Sequence, residues 1–152
     1  FNFSQEDLQR LRPTVVFDLL INNADRKGSH VLKDPNGHLW LIDHGVCFHV
    51  EDKLRTVIWE FVGEKIPPEL LVDLQRLIQI LEPAISKKIT GEDNSHLEDE
   101  QPDNFRNFSD TMSKLLSKSE FRALARRANN IISEGVFPAP DPNRRPFPWP
   151  QI

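Results

Sequence analysis
The sequence predicts an α+β domain that is mainly helical and carries one short β-hairpin. Three observations lead there. Leu70, Leu71, Leu74, Leu77, Ile78 and Leu81 recur at helical spacing, which marks an amphipathic helix. Two short apolar runs, His30-Val31-Leu32-Lys33 and His38-Leu39-Trp40-Leu41-Ile42, flank Asp34-Pro35-Asn36-Gly37. Pro second and Gly fourth suit a type I turn, and Asn-Gly suits a tight hairpin. The chain has 152 residues, enough for one domain with one sizeable core.

The elements follow in order. Ser4 precedes Gln5-Glu6-Asp7 and its hydroxyl can accept from the backbone a turn later, so a helix starts there. Leu8 and Leu11 continue it. Pro13 suits the first turn of a second helix, where its missing N–H costs nothing. Val15, Val16, Phe17, Leu19, Leu20 and Ile21 make that segment apolar almost all round, which predicts a place in the middle of the core. After the hairpin, Val57, Ile58, Phe61 and Val62 recur at helical spacing and Trp59 adds bulk, but Phe48 to Gly63 fits no single element. Trp40 and Trp59 read as core residues.

Pro67-Pro68 punctuates the chain. The helix from Glu69 to Leu81 is interrupted by Pro83, with a further turn or two over Ala84 to Ile89. Residues 91–104 are polar and acidic with no apolar period, an acidic surface loop. Helices are expected over Phe105 to Leu116 and Lys118 to Ser133, with Gly135 placed to stop the last. The tail, residues 137–152, contains six prolines and cannot be regular helix or sheet. Phe147 and Trp149 are costly to leave in water, so the tail is expected to pack on the body through them.

Composition narrows the function classes. Hydrophobic residues at 38% and charged residues at 28% describe an ordinary soluble globular chain. A net charge of -4 argues against a general nucleic-acid binder, which carries excess Lys and Arg. No apolar run approaches the roughly 20 residues of a membrane helix, so no integral membrane segment is expected. Cys47 is the single cysteine. It excludes an internal disulfide and a thiolate zinc cluster, reads as an apolar filler, and fits a reducing cytoplasm. His38, His44 and His49 have irregular spacings that do not suit zinc.

The chemistry concentrates in "NNADRKGSH VLKDPNGHLW LIDHG", Asn22 to Gly45. Asp25 follows an apolar helix and opens a loop, while Asp43 follows a hairpin strand. Such a loop and hairpin can bring two carboxylates to one edge of a domain. Mg²⁺ commonly uses one or two carboxylates plus substrate phosphates. A second carboxylate can accept a proton from an attacking hydroxyl. Phosphoryl transfer needs both.

These residues resemble a family. The protein-kinase template has a catalytic Asp, a metal-binding Asn five positions on, a hairpin, and then Asp-x-Gly. Asp25 takes the first place and Asp43-His44-Gly45 the last, eighteen positions later. "NNADRKGSH" is similar to the Asn-x-Asp-Arg-x-x-x-Asn loop of type II phosphatidylinositol 4-kinases and HipA-type bacterial kinases. "LIDHGVCF" is similar to the Ile-Asp-Asn-Gly-Leu-Ala-Phe segment of the type II lipid kinases. The whole chain also resembles a bacterial group described as phosphatidylinositol 3- and 4-kinase-like, whose members end in a similar Pro-Phe-Pro-Trp-Pro tail.

The resemblance implies the C-terminal (large) lobe of a protein-kinase-like fold over residues 1–136. The catalytic loop would be 22–30, the hairpin 30–42 and the metal-binding turn 43–45. It implies ATP as cofactor, with Mg²⁺ or Mn²⁺, and a hydroxyl acceptor on a lipid, small molecule or protein. Asp25 would be the catalytic base and Asp43 would hold the metal. Arg26 would steady the loop or screen phosphate charge, and Lys27 would be either a solvated loop charge or a contact to the transferring phosphate. Asn23 and Gly45 would stand on the cofactor side, Asn23 shaping the turn and Gly45 giving the backbone freedom after the metal ligand.

His30 is the departure, because it stands where the family places the second metal-binding Asn. Imidazole suits Zn²⁺ or Mn²⁺ better than Mg²⁺. The site would prefer Mn²⁺, or His30 would hydrogen-bond phosphate, or the protein would be a pseudokinase; a half-buried strand histidine paired to a backbone group is the remaining reading. A kinase also needs a glycine-rich loop, a strand lysine and its glutamate. Only 24 residues precede Asp25, and none of the six glycines forms Gly-x-Gly. The N-terminal lobe is therefore expected to be missing from this chain, which begins at Phe1 without methionine, and the piece alone is expected to be inactive. The two functional expectations are an ATP-dependent phosphotransferase in the intact protein and a catalytically inactive binding or scaffold domain.

Overall fold
The computed structural model describes residues 4–89 and 103–151. About half of the chain is helix, and among the described residues the strands form one two-stranded antiparallel sheet, so the class is α+β. Helix α1, Gln5–Arg10, starts at Ser4, whose Oγ accepts from the Asp7 amide. Helix α2, Arg12–Ile21, has a proline in its first turn and ends at Asn22 in the left-handed region (φ 56°). Strands β1, Val31–Lys33, and β2, Leu39–Leu41, pair in the register Val31↔Leu41, Leu32↔Trp40 and Lys33↔Leu39. The turn between them closes with Gly37 N–H donating to Asp34 O at 2.9 Å, and Gly37 takes φ +81°. Asp34 Oδ1 accepts from the Asn36 and His38 amides, both at 2.9 Å.

Three longer helices complete the body: α3, Pro68–Ile89, α4, Asp103–Leu115, and α5, Lys118–Glu134. Helix α5 opens with a reciprocal capping box between Ser117 and Glu120 and closes on Gly135 at φ 62°, a conformation that needs no Cβ. Helix α3 packs on α4 and α5, and α2 packs on α5. Leu11, Val15, Val16, Leu20 and Ile21 meet Leu74, Leu81, Phe121, Leu124, Ala128 and Ile131 in one core. Lys33 Nζ bonds both Asp7 oxygens, at 2.8 and 3.0 Å, and ties α1 to the hairpin.

Several expectations are corrected. Phe48 to Gly63, which the sequence assigns to no single element, is loop and turn with Ile58 and Phe61 buried. Periodic apolar residues mark burial, and here irregular backbone supplies it. Pro83 does not interrupt α3, which runs on to Ile89. Packing on two neighbouring helices outweighs a penalty of about 3 kcal/mol for proline inside a helix. Asp103 and Asn104 already belong to α4, and the rest of the acidic stretch 91–104 lies outside the described residues. Phe17, on the supposedly all-round apolar helix, is exposed. Trp40 is exposed on the outer face of the hairpin, against His38 at 4.5 Å between ring centroids.

The tail crosses the body, but through other residues than expected. Trp149 is 76% exposed and Phe147 is also exposed, whereas Phe137 and Pro148 are fully buried. Phe137 lies 5.5 Å from Phe61, centroid to centroid, and exchanges main-chain bonds with the 63–64 turn. Trp149 instead lies under the Arg145 guanidinium at 5.7 Å.

Candidate functional site
Helix α2 looks apolar, yet Asp18 sits in its last turns at 1% exposure. Its partner is Arg26, whose side chain is 0% exposed. Arg26 Nε donates to Asp18 Oδ2 at 2.8 Å and Nη2 to Oδ1 at 2.9 Å. The same guanidinium reaches the carbonyls of His30, at 3.3 Å, and Ile42, at 3.1 Å, and the Nε2 of His44, at 2.9 Å. One buried fork thus joins α2, the loop after it and the turn after β2. Planar, bidentate pairing of this kind is what arginine provides and lysine does not.

Asn23 completes the interior. Its Nδ2 donates to Asp18 Oδ1 at 3.0 Å and its Oδ1 accepts from the Asp25 amide at 3.0 Å. Asn22 Nδ2 donates to the carbonyls of His49 and Glu51, and its Oδ1 accepts from the Lys53 amide. Residues 55–57 run beside the loop: Arg26 N–H donates to Arg55 O and Val57 N–H to Arg26 O. The tail supports both strands of this arrangement, since Gly28 N–H donates to Gln151 O and Thr56 N–H to Pro146 O.

On this frame the loop carrying Asp25 and the turn carrying Asp43 lie together. Ala24 N–H donates to Val46 O at 2.9 Å and Ile42 N–H to His30 O at 3.0 Å. Asp25 is partly exposed, with Lys27 Nζ 3.3 Å from its Oδ2. Asp43 is 59% exposed, and His30 Nε2 lies 3.5 Å from its Oδ2. The His30 ring is nearly buried, and its Nδ1 has no hydrogen-bond partner. His44 is held below the ordinary imidazole value of 6.5, first by partial desolvation and then by the adjacent Arg26, so it stands as the neutral acceptor of that guanidinium. Burial pushes the Cys47 thiol up to about 11.

The geometry decides between the two roles given to Arg26, keeps Asn23 as a turn-shaping residue without a place on the cofactor side, and corrects the role given to Gly45. Arg26 is fully buried, so it steadies the loop and is not placed to screen phosphate. Asn23 is likewise buried and shapes the turn; it has no surface to offer a cofactor. Gly45 does not take a left-handed φ, and a Cβ there would meet Asp43 Oδ1 at an ordinary 3.6 Å. The left-handed residues on either side of it are Asp43 (φ 56°) and Phe48 (φ 64°). Aspartate tolerates that region. For phenylalanine it is strained, and the Phe48 amide is tied to Ile21 O at the end of α2.

Two residues of consequence went unread in the sequence. Asp18 was hidden by its apolar neighbours, and a lone carboxylate inside such a helix is itself the signal. Arg127 on α5 donates to Leu20 O at 2.8 Å and to His49 O at 3.2 Å, with no local signal to announce it. His38, His44 and His49 have separate partners: Trp40, Arg26 and the Glu51 main chain. Among the described residues, no group of three or more His, Cys, Asp or Glu is placed to hold a metal. No helix among them is long and apolar enough to cross a membrane.

No family model matches the chain. No solved structure matches it either. Among curated proteins, "Protein Rv2133c" of Mycobacterium tuberculosis (strain ATCC 25618 / H37Rv) is 36% identical over 141 residues. The match covers 93% of this chain, which spans 42% of that relative's length.

Proposed function
We propose that this chain is the large lobe of an ATP-dependent phosphotransferase of the phosphatidylinositol 3-/4-kinase-like type, acting on a hydroxyl of a lipid, small molecule or protein. The observation that carries the reading is the Arg26 clamp, which holds the Asp25 loop against the Asp43 turn across the hairpin. Asp25 is the proposed base that orients the acceptor hydroxyl, with Lys27 beside it to meet phosphate charge. Asp43 and His30 are the proposed metal-side residues. A set of one carboxylate and one imidazole leaves further positions to phosphates and water, and its imidazole favours Mn²⁺ over Mg²⁺. ATP with its metal would supply the transferable phosphoryl group. The nucleotide cleft would be completed by an N-terminal lobe, and the cytoplasm is the proposed compartment.

A second reading rests on the His30–Asp43 pair. A histidine already beside the carboxylate competes with a metal for it, which favours a catalytically inactive binding domain. ATP turnover and nucleotide affinity of the intact protein, measured in Mg²⁺ and in Mn²⁺, separate the two. Asp25→Asn should nearly abolish turnover and leave affinity roughly intact. Asp43→Asn should weaken metal–nucleotide binding. His30→Asn should keep activity and shift preference toward Mg²⁺, since an amide oxygen is a harder ligand than imidazole. Wild-type protein that binds no nucleotide in either metal would sink the enzyme and favour the binding domain.

A further inference from the structure
An open pocket of about 520 Å³ lies where the 51–55 segment meets Arg144 and Arg145 of the tail. Asp25, Lys27, His30 and Asp43 do not line it. Its main chain is nevertheless tied to theirs. Lys53 N–H donates to Asn22 Oδ1 at 2.8 Å, and Arg55 N–H to Asn23 O and Arg26 N–H to Arg55 O, both at 3.0 Å. Leu54 is the apolar residue of a lining that is otherwise charged, so the pocket suits a polar ligand.

The lining sets four cations, Lys53, Arg55, Arg144 and Arg145, against two carboxylates, Glu51 and Asp52. This local excess of positive charge stands in a chain whose net charge is -4. Each carboxylate already has a cation: Glu51 faces Lys53 at 3.4 Å, and Asp52 faces Arg126 at 3.8 Å. Arg144 faces Asp141 at 3.0 Å and donates to Asp52 O. Among the described residues, Arg55 and Arg145 have no carboxylate at ion-pair distance. Arg55 is half-buried and its main-chain groups are engaged with the Asp25 loop, which leaves its guanidinium as the group with hydrogen bonds to give. The exposed Arg145 guanidinium rests over the Trp149 ring at 5.7 Å, a contact that steadies a cation without the carboxylate an ion pair would need.

We propose that this pocket binds the dianionic group of a phosphate monoester, through charge-assisted hydrogen bonds from the Arg55 and Arg145 guanidiniums. A monoester carries a charge of about −1.5 to −2 near pH 7 and offers three acceptor oxygens. That charge matches the local excess, and the guanidinium fork pairs with phosphate bidentately. The volume of about 520 Å³ falls within the roughly 300–1,000 Å³ of small-molecule sites, so a small polar body fits beyond the phosphate. The proposal concerns binding and does not rest on the phosphotransfer reading: failure of either leaves the other standing.

The test titrates the intact protein with glycerol 3-phosphate by calorimetry, with dimethyl phosphate as the monoanionic control. Glycerol 3-phosphate should bind saturably, and dimethyl phosphate at least roughly tenfold more weakly, because it lacks one charge. Arg55→Gln and Arg145→Gln should each lose roughly tenfold in affinity for one absent charge-assisted hydrogen bond. The two variants are independent, so one that fails to fold leaves the other to decide. Arg76→Gln, at an exposed position of α3, should leave the affinity unchanged. Vesicles of phosphatidylcholine with phosphatidic acid present the same monoester on a lipid. Vesicle binding that glycerol 3-phosphate displaces supports the pocket with a lipid headgroup as its source; saturable glycerol 3-phosphate binding without vesicle binding supports it with a soluble ligand. Non-saturating uptake, equal affinity for the two phosphates, an equal loss in Arg76→Gln, or undiminished affinity in the folded arginine variants would each overturn the proposal.

Discussion
Replacing Asp18 with alanine tests whether the buried Arg26 fork governs the fold around the candidate site. In the structure the Asp18 carboxylate accepts three hydrogen bonds, two from Arg26 at 2.8 and 2.9 Å and one from Asn23 at 3.0 Å. Neither Asp18 nor Arg26 has contact with solvent worth counting, so the substitution leaves a guanidinium charge buried without its counterion. Removing one partner of a buried pair costs about 3–5 kcal/mol. Whole-domain stability is about 5–15 kcal/mol, so the expected loss is a large share of it. At about 2–4 °C per kcal/mol for a chain of this size, the melting temperature should fall on the order of 10 °C. Urea denaturation gives the free energy directly, provided the slope is unchanged. The double variant Asp18→Leu with Arg26→Met should recover most of the loss, since an apolar pair of similar volume often replaces a buried ion pair at little cost. It would still lack the bonds to His30 O and Ile42 O, so amides of the 22–30 loop should exchange faster than in the parent. A loss below about 1 kcal/mol for Asp18→Ala would refute the assignment of a structural charge pair.

The tail anchors are separable: Phe137→Ala should cost about 3–5 kcal/mol in urea, while Trp149→Ala should stay within about 0.5 kcal/mol. His44 contributes stability that is complete above its ordinary value of 6.5. The unfolded chain takes up the proton first as pH falls, so the contribution is lost through the lowered folded value; urea midpoints from pH 7.5 to 5 should fall more for the wild type than for His44→Gln. The Cys47 thiol, raised to about 11, should resist iodoacetamide at pH 8 and react appreciably only above about pH 10.

Much of the fold was legible because its signals are local. Ser4, the Ser117–Glu120 capping box and Gly135 each act within one helical turn, and the Asp34-Pro35-Asn36-Gly37 turn acts within four residues. The rest is tertiary. Phe48 to Gly63 fits no single element despite the helical spacing of Val57, Ile58, Phe61 and Val62, because Thr56 Oγ1 captures the Ile58 amide at 3.0 Å and the backbone on either side bonds to the Asp25 loop and the tail. Pro83 argues locally for a break in α3, and nothing in its neighbourhood reports the packing that overrides it. Trp149 argues for burial by size, while the prolines around it decide where the chain can turn inward.

The site divides in the same way, and the division bears on mechanism. Asn23 and Arg26 carry much of the motif resemblance, yet both point inward and bond Asp18. Their partner lies in a helix that the motif does not include, so the motif letters describe a scaffold as much as a reaction. That scaffold fixes main chain: it holds the Asp25 amide, the His30 carbonyl and the Ile42 carbonyl. Among the side chains of this segment that keep surface are Asp25, Lys27 and Asp43, with the His30 ring beside Asp43. On the proposed function, phosphate and metal chemistry fall to these four. A variant of Arg26 that loses activity would report the position of the loop, whereas a variant of Asp25 that keeps stability and loses turnover would report chemistry.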